Sequence, residues 1–233
     1  MWQNERSLEL EIMDLGPNHY TTDEYTLCLS LLGRINRWLG GFAATKKAFK
    51  RLRGIPSSIL EVGCGGGYLC EKMTRWFPHA SITGIDINSA AVLEARKLFN
   101  GQKNNVCIEE QDDKSLKYAD NQFDVVTTML VCHHMDDQEC IHFLKESYRI
   151  CSKAVIINDI HRHFLTYVIF SLMAPLAFPN RLIWHDGRLS IKRSFRKKDW
   201  INILERAGFH KSQYELRWNW AFRWTLTIKK YED

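Results

Sequence analysis

Residues 58–76 read SILEVGCGGGYLCEKMTRW, a short apolar run that ends in a cluster of glycines and continues as a helical pattern. The run Ser58–Val62 predicts a β-strand, and residues 67–76 predict a helix that ends before Pro78. Glycines at the turn between them let the backbone approach a ligand closely. The first turn of the helix adds unpaired N–H groups, so this junction is predicted to bind a ligand.

Further strand and helix patterns alternate along the chain after this unit. A second strand is predicted at residues 81–85, and the next helix, capped by Asn88 or Ser89, ends at Gly101. Three more strands are predicted at residues 106–109, 123–130 and 154–157. Strands separated by helix-length patterns predict a parallel, doubly wound α/β sheet.

The two ends of the chain extend this core. Residues 25–52 carry apolar side chains at helical spacing, broken by Gly40 and Gly41, which predicts one or two N-terminal helices. Near the C-terminus, apolar and polar residues alternate from Trp218 to Ile228. This period of two predicts a strand with one apolar face, as part of an antiparallel hairpin that closes the sheet.

Composition limits the classes of protein to which the chain can belong. Its 233 residues suffice for one α/β domain, and 45% hydrophobic and 25% charged residues are typical of globular proteins. The net charge of +5 is spread widely, so nucleic acid is not favoured as a partner. The seven cysteines form no C-x-x-C pair, which indicates reduced thiols in a cytoplasmic protein.

Two segments bear on membrane association. The N-terminal residues are too acidic and too polar for a secretory signal. Residues 164–178 are apolar, but they contain Pro175 and fall short of the roughly 20 residues that cross a bilayer. No membrane span is therefore expected. The segment is predicted to cover a substrate, to touch a membrane surface peripherally or to pack in the core.

Acidic residues follow the second and third predicted strands. Asp86 ends the second strand, where a carboxylate can accept hydrogen bonds from both hydroxyls of a ribose. Asp112 and Asp113 come just after the third strand, where either could accept a hydrogen bond from an adenine amino group. This pattern predicts a ligand that contains a nucleoside.

Taken in order, these motifs resemble those of class I S-adenosylmethionine-dependent methyltransferases. The resemblance covers residues 57–157 and includes E-x-G-C-G-x-G, the I-D pair, the acidic turn and F-D-V-V-T-T-M-L-V-C-H-H-M. It implies S-adenosylmethionine as the cofactor, with its methionine part at the glycine turn, its ribose at the second-strand acid and its adenine at the acidic turn. The implied cofactor-binding residues are Glu61, Gly63, Cys64, Gly65, Gly67, Asp86, Ile87, Asp112 or Asp113, Leu130 and Val131.

We therefore expect a Rossmann-like, doubly wound α/β sheet of seven strands with the last strand antiparallel. A single methyltransferase domain is predicted, with N-terminal cap helices at residues 1–55, a cofactor-binding core at 56–160, a substrate-covering insertion after strand five at 161–195, and a C-terminal helix and hairpin at 196–233. A nicotinamide fingerprint starting at Gly63 would need glycine where Tyr68 stands, so a dinucleotide cofactor is not favoured.

Segments outside the core, among them residues 11–14 and 185–193, are similar to those of bacterial methyltransferases of polyketide, quinone and other aromatic metabolism. That resemblance implies a small, largely apolar acceptor with an aromatic or polyketide-like hydroxyl. Two alternatives stay open, namely a C-methyltransferase of quinone or lipid metabolism and a non-catalytic, regulatory protein that binds S-adenosylmethionine. A deep apolar cavity beside the methyl position would support an enzyme.

Histidines are the candidates for a general base, which is needed only if the acceptor begins protonated. His161 and His185 are favoured, with Asp159 and Asp186 as possible orienting partners. His134, with its neighbour His133, is a third candidate, although this pair belongs to a motif that is more typical of a structural or substrate-positioning role.

Metal-ligand chemistry is also present among these residues. His161 and His163, with His185 and Asp186, are the right residue types for a metal ion, but they lack tight spacing, so no metal site is predicted.

Overall fold

The computed structural model describes residues 5–99, 105–111 and 115–230. In chain order, the helices are α1 (Thr22–Trp38), α2 (Gly41–Phe49), α3 (Tyr68–Trp76), α4 (Ser89–Phe99), α5 (Asp137–Ile150), α6 (Phe164–Ala177), α7 (Arg181–Arg193) and α8 (Lys197–Arg206). The strands are β1 (Ser58–Val62), β2 (Ser81–Asp86), β3 (Val106–Glu110), β4 (Phe123–Met129), β5 (Cys151–Ile160), β6 (Tyr214–Asn219) and β7 (Arg223–Lys229). Short 3₁₀ helices lie at Ile12–Leu15, Pro17–His19 and Cys132–His134.

The seven strands form one sheet in the order β3-β2-β1-β4-β5-β7-β6. Strands β1 to β5 pair in parallel, and β7 runs antiparallel between β5 and β6. The fold is therefore the predicted Rossmann-like sheet with an antiparallel last strand. Because the strand order reverses between β1 and β4, a crevice forms at the carboxyl ends of these strands, where such folds bind ligands.

Strand β5 shows how the sheet is buried on both faces. Its residues Ala154, Val155, Ile156 and Ile157 are at most 1% exposed. Successive side chains point to opposite faces, so Val155 and Ile157 pack in the core under α5 and α8 while Ile156 packs in the core under α3 and α4. The predicted apolar run is the centre of this strand, which extends at both ends.

The C-terminal alternation does not form one continuous strand. Residues 220–222 make a turn between β6 and β7, with Ala221 at φ 59° and Phe222 at φ 55°. Trp220 in this turn is 73% exposed, whereas Trp224 in β7 is buried. The predicted hairpin is present, but the alternating residues are divided between its two strands, and β7 is buried on both faces.

Helices α1 and α7 cover the carboxyl edge of the sheet and form a third core with the N-terminal segment. Helix α1 follows the capping residue Thr21, whose hydroxyl accepts a hydrogen bond from the Glu24 N–H at 3.2 Å. Gly40, at φ 72°, separates α1 from α2, as its position in the sequence predicts. In the part of the chain that the structure describes, no helix is both long and apolar enough to cross a membrane.

Candidate functional site

A cavity of about 840 Å³ opens at the carboxyl ends of β1, β2 and β4. The glycine turn, the ends of β2 and β4, the N-terminal segment and helices α1, α6 and α7 contribute its walls. Such a volume falls within the roughly 300–1,000 Å³ typical of ligand pockets. The cavity thus joins the predicted cofactor turn to the covering helices in one space.

The glycine turn lies at one end of this cavity. Gly63, Cys64 and Gly65 line it, whereas Gly67 caps the start of α3 and faces Ala95 in α4. Gly63 adopts φ 70°, and a Cβ atom there would lie 2.4 Å from the side chain of Val131. Glycine is therefore required at position 63 for the end of β4 to pack against the turn.

Glu61 is a buried carboxylate at the end of β1 that also lines the cavity. The Cys70 thiol donates a hydrogen bond to its Oε2 at 2.9 Å, and no salt bridge joins it to a cation in residues 5–99, 105–111 or 115–230. Burial raises the pKa of Glu61 to about 8, and the nearby charge of Asp86 adds to this effect. A cationic group on a ligand, such as the ammonium of a bound methionine moiety, would satisfy this carboxylate.

The raised pKa of Glu61 predicts a pH-dependent stability for the unliganded protein. The folded protein keeps a proton on Glu61 that the unfolded chain releases above pH 4.5, so the free energy of unfolding should fall as the pH rises from 4.5 to about 8. The groups that face Glu61 are Cys70, Cys64 and Asp86. We expect Glu61→Gln to remove roughly 5 kcal/mol from this decrease in the free energy of unfolding, since each pKa unit corresponds to about 1.4 kcal/mol.

Urea unfolding at several pH values checks this prediction. The matched control is Glu205→Gln on the exposed face of α8, which should keep the slope of the original protein. Equal slopes in Glu61→Gln and in the original protein would contradict the assignment of the proton to Glu61.

Asp86 lies at the end of β2, where its carboxylate is tied to the glycine turn. Its Oδ2 accepts a hydrogen bond from the Gly65 N–H at 2.8 Å, and its Oδ1 accepts one from the Asn88 N–H at 2.9 Å. Each oxygen keeps a second lone pair, and the residue lines the cavity. Asp86 can therefore accept hydrogen bonds from the two hydroxyls of a ribose, with Ile87 next to it on the same wall.

The predicted adenine acids cannot be placed in the same way. Asp112 and Asp113 lie outside the described residues, whereas Gln111, directly before them, lines the cavity. The assignment of an adenine ligand to either aspartate therefore stays a prediction.

Leu130 and Val131 line the cavity where β4 ends. Leu130 adopts φ 62°, a left-handed conformation that is unfavourable for a side chain with a Cβ atom, and its N–H donates to the Asn158 carbonyl at 3.0 Å. The strained residue directs the chain from the strand into the 3₁₀ helix Cys132–His134.

The strain at Leu130 predicts that two substitutions will change the free energy of unfolding by different amounts. Leu130→Val adds a β-branched side chain at positive φ and should destabilise the protein by about 1–3 kcal/mol. Leu130→Gly relieves the strain and should change the free energy of unfolding by less than about 1 kcal/mol. Urea midpoints measure both, and Leu93→Val on the exposed side of α4 is the control. A larger loss in the glycine variant than in the valine variant would contradict the interpretation.

A polar cluster stands in the cavity wall beside this turn. It comprises Glu11 from the N-terminal segment, His133 and His134 from the 3₁₀ helix, and Asp14 and Asp159 behind the two histidines. Glu11 is 3% exposed and His133 is 2% exposed. Nε2 of His133 lies 3.7 Å from Oε1 of Glu11, and Nε2 of His134 lies 3.9 Å from Oε2 of Glu11.

The other nitrogen of each histidine is bound by an aspartate. Nδ1 of His133 donates to Oδ1 of Asp159 at 2.7 Å, and Nδ1 of His134 donates to Asp14 at 3.0 Å. Burial alone would raise the pKa of Asp159, but His133 and a backbone hydrogen bond hold it below its ordinary value. For Glu11, burial dominates and raises the pKa to about 7.

Helix α7 holds the N-terminal segment in place. Asp186 accepts hydrogen bonds from the N–H groups of Ile12 and Met13, at 2.9 and 3.1 Å. The Ser190 hydroxyl donates to Oε1 of Glu11 at 2.8 Å. One face of α7 therefore fixes the carboxylate of Glu11 in the cavity wall.

The three histidine candidates occupy different environments. Among the described residues, His134 lines the cavity, whereas His161 and His185 do not. His161 packs against His163 and Trp224, and burial lowers its pKa to about 4, which makes it a weak base. His185 is half-exposed on α7 and does bind Asp186, as predicted, at 2.8 Å.

The predicted pairing of Asp159 with His161 is wrong. Asp159 binds His133, because β5 aims its side chain at the 3₁₀ helix that follows β4 rather than along its own strand. Sequence reasoning also missed Glu11, which lies more than a hundred residues from the histidines it faces. No local spacing in the sequence connects these positions, and the similarity of the segment around Glu11 to other methyltransferases was the only signal.

Comparison with known proteins agrees with this architecture. The sequence model of a family described as "Methyltransferase domain" matches residues 59–154. A ubiquinone biosynthesis O-methyltransferase of Coxiella burnetii (strain Dugway 5J108-111) is 26% identical over 175 residues, which are 68% of this chain and 70% of that protein.

Solved structures share the fold at low sequence identity. A SAM-dependent methyltransferase from Aquifex aeolicus superposes with a TM-score of 0.64 at 16% identity, covering 90% of this chain and 98% of that one. Human N-acetylserotonin methyltransferase, solved in complex with SAM, gives a TM-score of 0.65 at 17% identity, covering 91% of this chain and 57% of that one. The family model thus identifies residues 59–154 as a methyltransferase domain, and the strand order and the glycine turn are similar to those of class I S-adenosylmethionine-dependent methyltransferases.

Proposed function

We propose that this methyltransferase transfers the methyl group of S-adenosylmethionine to a hydroxyl oxygen of a small, largely apolar acceptor, aromatic or polyketide-like in character. The observation that carries the proposal is the polar cluster of Glu11, His133 and His134 in the wall of the same cavity that contains the glycine turn and Asp86. The name of the Coxiella burnetii relative, a ubiquinone biosynthesis O-methyltransferase, supports the same kind of acceptor.

The cofactor end of the cavity suits S-adenosylmethionine in its charges and its shape. Glu61 is a buried carboxylate that would be satisfied by the ammonium of the methionine part. Asp86 offers two acceptor oxygens to the ribose, and Gly63 and Gly65 leave room beside the backbone. When bound, S-adenosylmethionine supplies an electrophilic methyl group on a sulfonium.

The rest of the cavity suits an apolar acceptor. Its walls carry mainly apolar side chains from the N-terminal segment, α1, α6 and α7, namely Leu10, Met13, Leu29, Leu32, Phe170, Leu182 and Ile183. These walls exclude water and fix the ring or chain of the acceptor, and good alignment of acceptor and methyl contributes about 7–11 kcal/mol to such a displacement. The polar cluster then faces the only strongly polar group of the acceptor, its hydroxyl, and favours the ionised form that attacks the methyl.

The position of the cluster favours an oxygen acceptor over the two alternatives. Methylation at a carbon of a lipid chain has no use for an arrangement of two histidines with carboxylates on both sides, and the name of the Coxiella burnetii relative favours oxygen over a ring carbon of a quinol. A regulatory protein that only binds S-adenosylmethionine has no use for an apolar space beyond the methyl group.

The proposal is tested by binding and then by transfer. Calorimetry should show one site for S-adenosylhomocysteine. A panel of alkyl-substituted catechols and phenols, incubated with isotopically methyl-labelled S-adenosylmethionine, should yield labelled methyl ethers by mass spectrometry. The matched controls are the same rings with every hydroxyl already methylated. Label on a ring carbon would favour the C-methyltransferase, and binding without transfer to any member of the panel would favour the regulatory protein.

A further inference from the structure

Glu11, His133 and His134 form a group with the composition of a metal site. One ligand atom from each residue lies within 4.8 Å of the corresponding atoms of the other two. The three side chains come from two segments that are distant in sequence, and they meet at the cavity wall rather than at the outer surface of the protein.

The orientation of the two imidazoles is that of metal ligands. Because Asp159 and Asp14 bind the Nδ1–H groups, each ring is held in the tautomer that leaves a lone pair on Nε2. Both Nε2 atoms face the carboxylate of Glu11, at 3.7 and 3.9 Å. A carboxylate that binds the second nitrogen of a metal-ligating histidine is the usual support of such sites.

Hydrogen bonds from α7 hold the three side chains in place. Arg193 of α7 donates to the carbonyls of His133 and His134 at 3.0 and 2.7 Å, which fixes the turn that carries both rings. Ser190, one helical turn earlier, fixes Glu11. A site whose ligands are positioned by a single rigid helix loses little conformational entropy when it binds an ion.

We propose that Glu11, His133 and His134 bind one divalent cation of borderline softness, zinc foremost, with its remaining coordination position open to the cavity. Two imidazoles and one carboxylate with an open position are the ligand set of catalytic zinc and of non-haem iron(II) sites. Magnesium does not fit, because it prefers oxygen ligands. Zinc bonds of about 2.0–2.2 Å require the three ligand atoms to move closer together than they are here.

Under the function proposed above, on which this role alone rests, the open position faces the hydroxyl oxygen of the acceptor. The cation would then bind that oxygen and stabilise its ionised form. The binding of the cation itself requires only the three side chains and their two aspartates.

Cobalt(II) titration of the full-length protein, after treatment with EDTA, tests the site. We expect one equivalent to bind with visible d–d absorption and without a sulfur charge-transfer band, and zinc to displace it. Glu11→Gln and His133→Asn should each lower the affinity by more than about 100-fold, and Asp14→Asn by about 10–100-fold. Magnesium should not compete.

Matched controls separate this site from other metal-binding groups. Glu205→Gln on α8 and His142→Asn on α5 remove exposed residues of the same types and should bind cobalt as the original protein does. Cys107→Ser removes the exposed thiol. Circular dichroism identifies any variant that fails to fold. If Glu11→Gln or His133→Asn fails to fold, the cobalt affinity of Asp14→Asn tests the site, because the side chain of Asp14 is 26% exposed.

Several outcomes would overturn the inference. They are absence of cobalt binding, equal binding by the original protein and the folded cluster variants, and a sulfur charge-transfer band that disappears in Cys107→Ser. Failure of the proposed function is distinguishable, because cobalt and zinc binding are measured without S-adenosylmethionine or acceptor. Metal binding with no transfer to phenols would reject only the proposed acceptor, whereas full transfer by zinc-free protein would reject only the role of the cation.

Discussion

Asp86→Ala is expected to weaken the binding of S-adenosylhomocysteine by about 100–1,000-fold. The substitution removes both acceptor oxygens that we assign to the ribose, and hydrogen bonds to a charged group contribute about 1.5–3 kcal/mol each. It also leaves the Gly65 and Asn88 N–H groups without the carboxylate that now accepts from them at 2.8 and 2.9 Å. The glycine turn therefore loses a contact to β2 at the same time. Calorimetry with S-adenosylhomocysteine measures the effect.

Two further variants show whether the loss of affinity comes from the carboxylate oxygens of Asp86. Asp86→Asn keeps one acceptor oxygen and the shape of the side chain, so its affinity should lie between those of the alanine variant and the original protein. Asp120→Ala removes an exposed carboxylate that pairs with Arg149 on the other side of the fold, and should bind S-adenosylhomocysteine normally. An unchanged affinity in a folded Asp86→Ala protein would exclude Asp86 as the ribose ligand.

His133→Asn is expected to lower kcat for a phenolic acceptor by about 10²–10⁴-fold, the range expected when a group that promotes ionisation of the acceptor hydroxyl is removed. Its imidazole is 2% exposed, faces Glu11 across 3.7 Å and is oriented by Asp159. The affinity for S-adenosylhomocysteine should stay within a few-fold of the original value, because the cofactor residues are untouched. Steady-state kinetics with a substrate from the catechol panel supply the measurement.

A comparison with His161→Asn separates the two interpretations of the histidines. The side chain of His161 packs against Trp224 and His163, so its replacement should leave kcat close to that of the original protein. A loss of turnover in His161→Asn as large as that in His133→Asn would favour the interpretation based on sequence alone.

The sequence predicted the sheet well because each unit carries its own local signal. The run at 154–157 is a strand because it is continuously apolar, as parallel strands buried on both faces must be, and Ser58–Val62 is apolar except at Ser58 and Glu61. The hairpin was harder to predict, since a period of two continues unchanged through the tight turn at residues 220–222. Polar or glycine residues that would have marked the turn are absent from its tip.

The cofactor end of the site was more predictable than the acceptor end for a similar reason. The glycine turn and Asp86 follow their strands directly, so the strand pattern alone places them at one edge of the sheet. The polar cluster depends on packing across the fold. Asp159 is two residues from His161 in the sequence, yet its side chain binds Nδ1 of His133, which the 3₁₀ helix after β4 brings next to β5.

The two ends of the cavity are built from different parts of the chain, because the short N-terminal segment that is hydrogen-bonded to α7 lines only one of them. Residues 10–14 supply both apolar wall and polar side chains at the acceptor end, while the donor end is built from the sheet edge. Exchanging this segment between homologues should thus change which acceptors bind and how readily their hydroxyls ionise. The residues that we propose to bind S-adenosylmethionine would stay the same. Substitutions in these few residues, which belong to no strand, can therefore change the acceptor during evolution while the sheet stays intact.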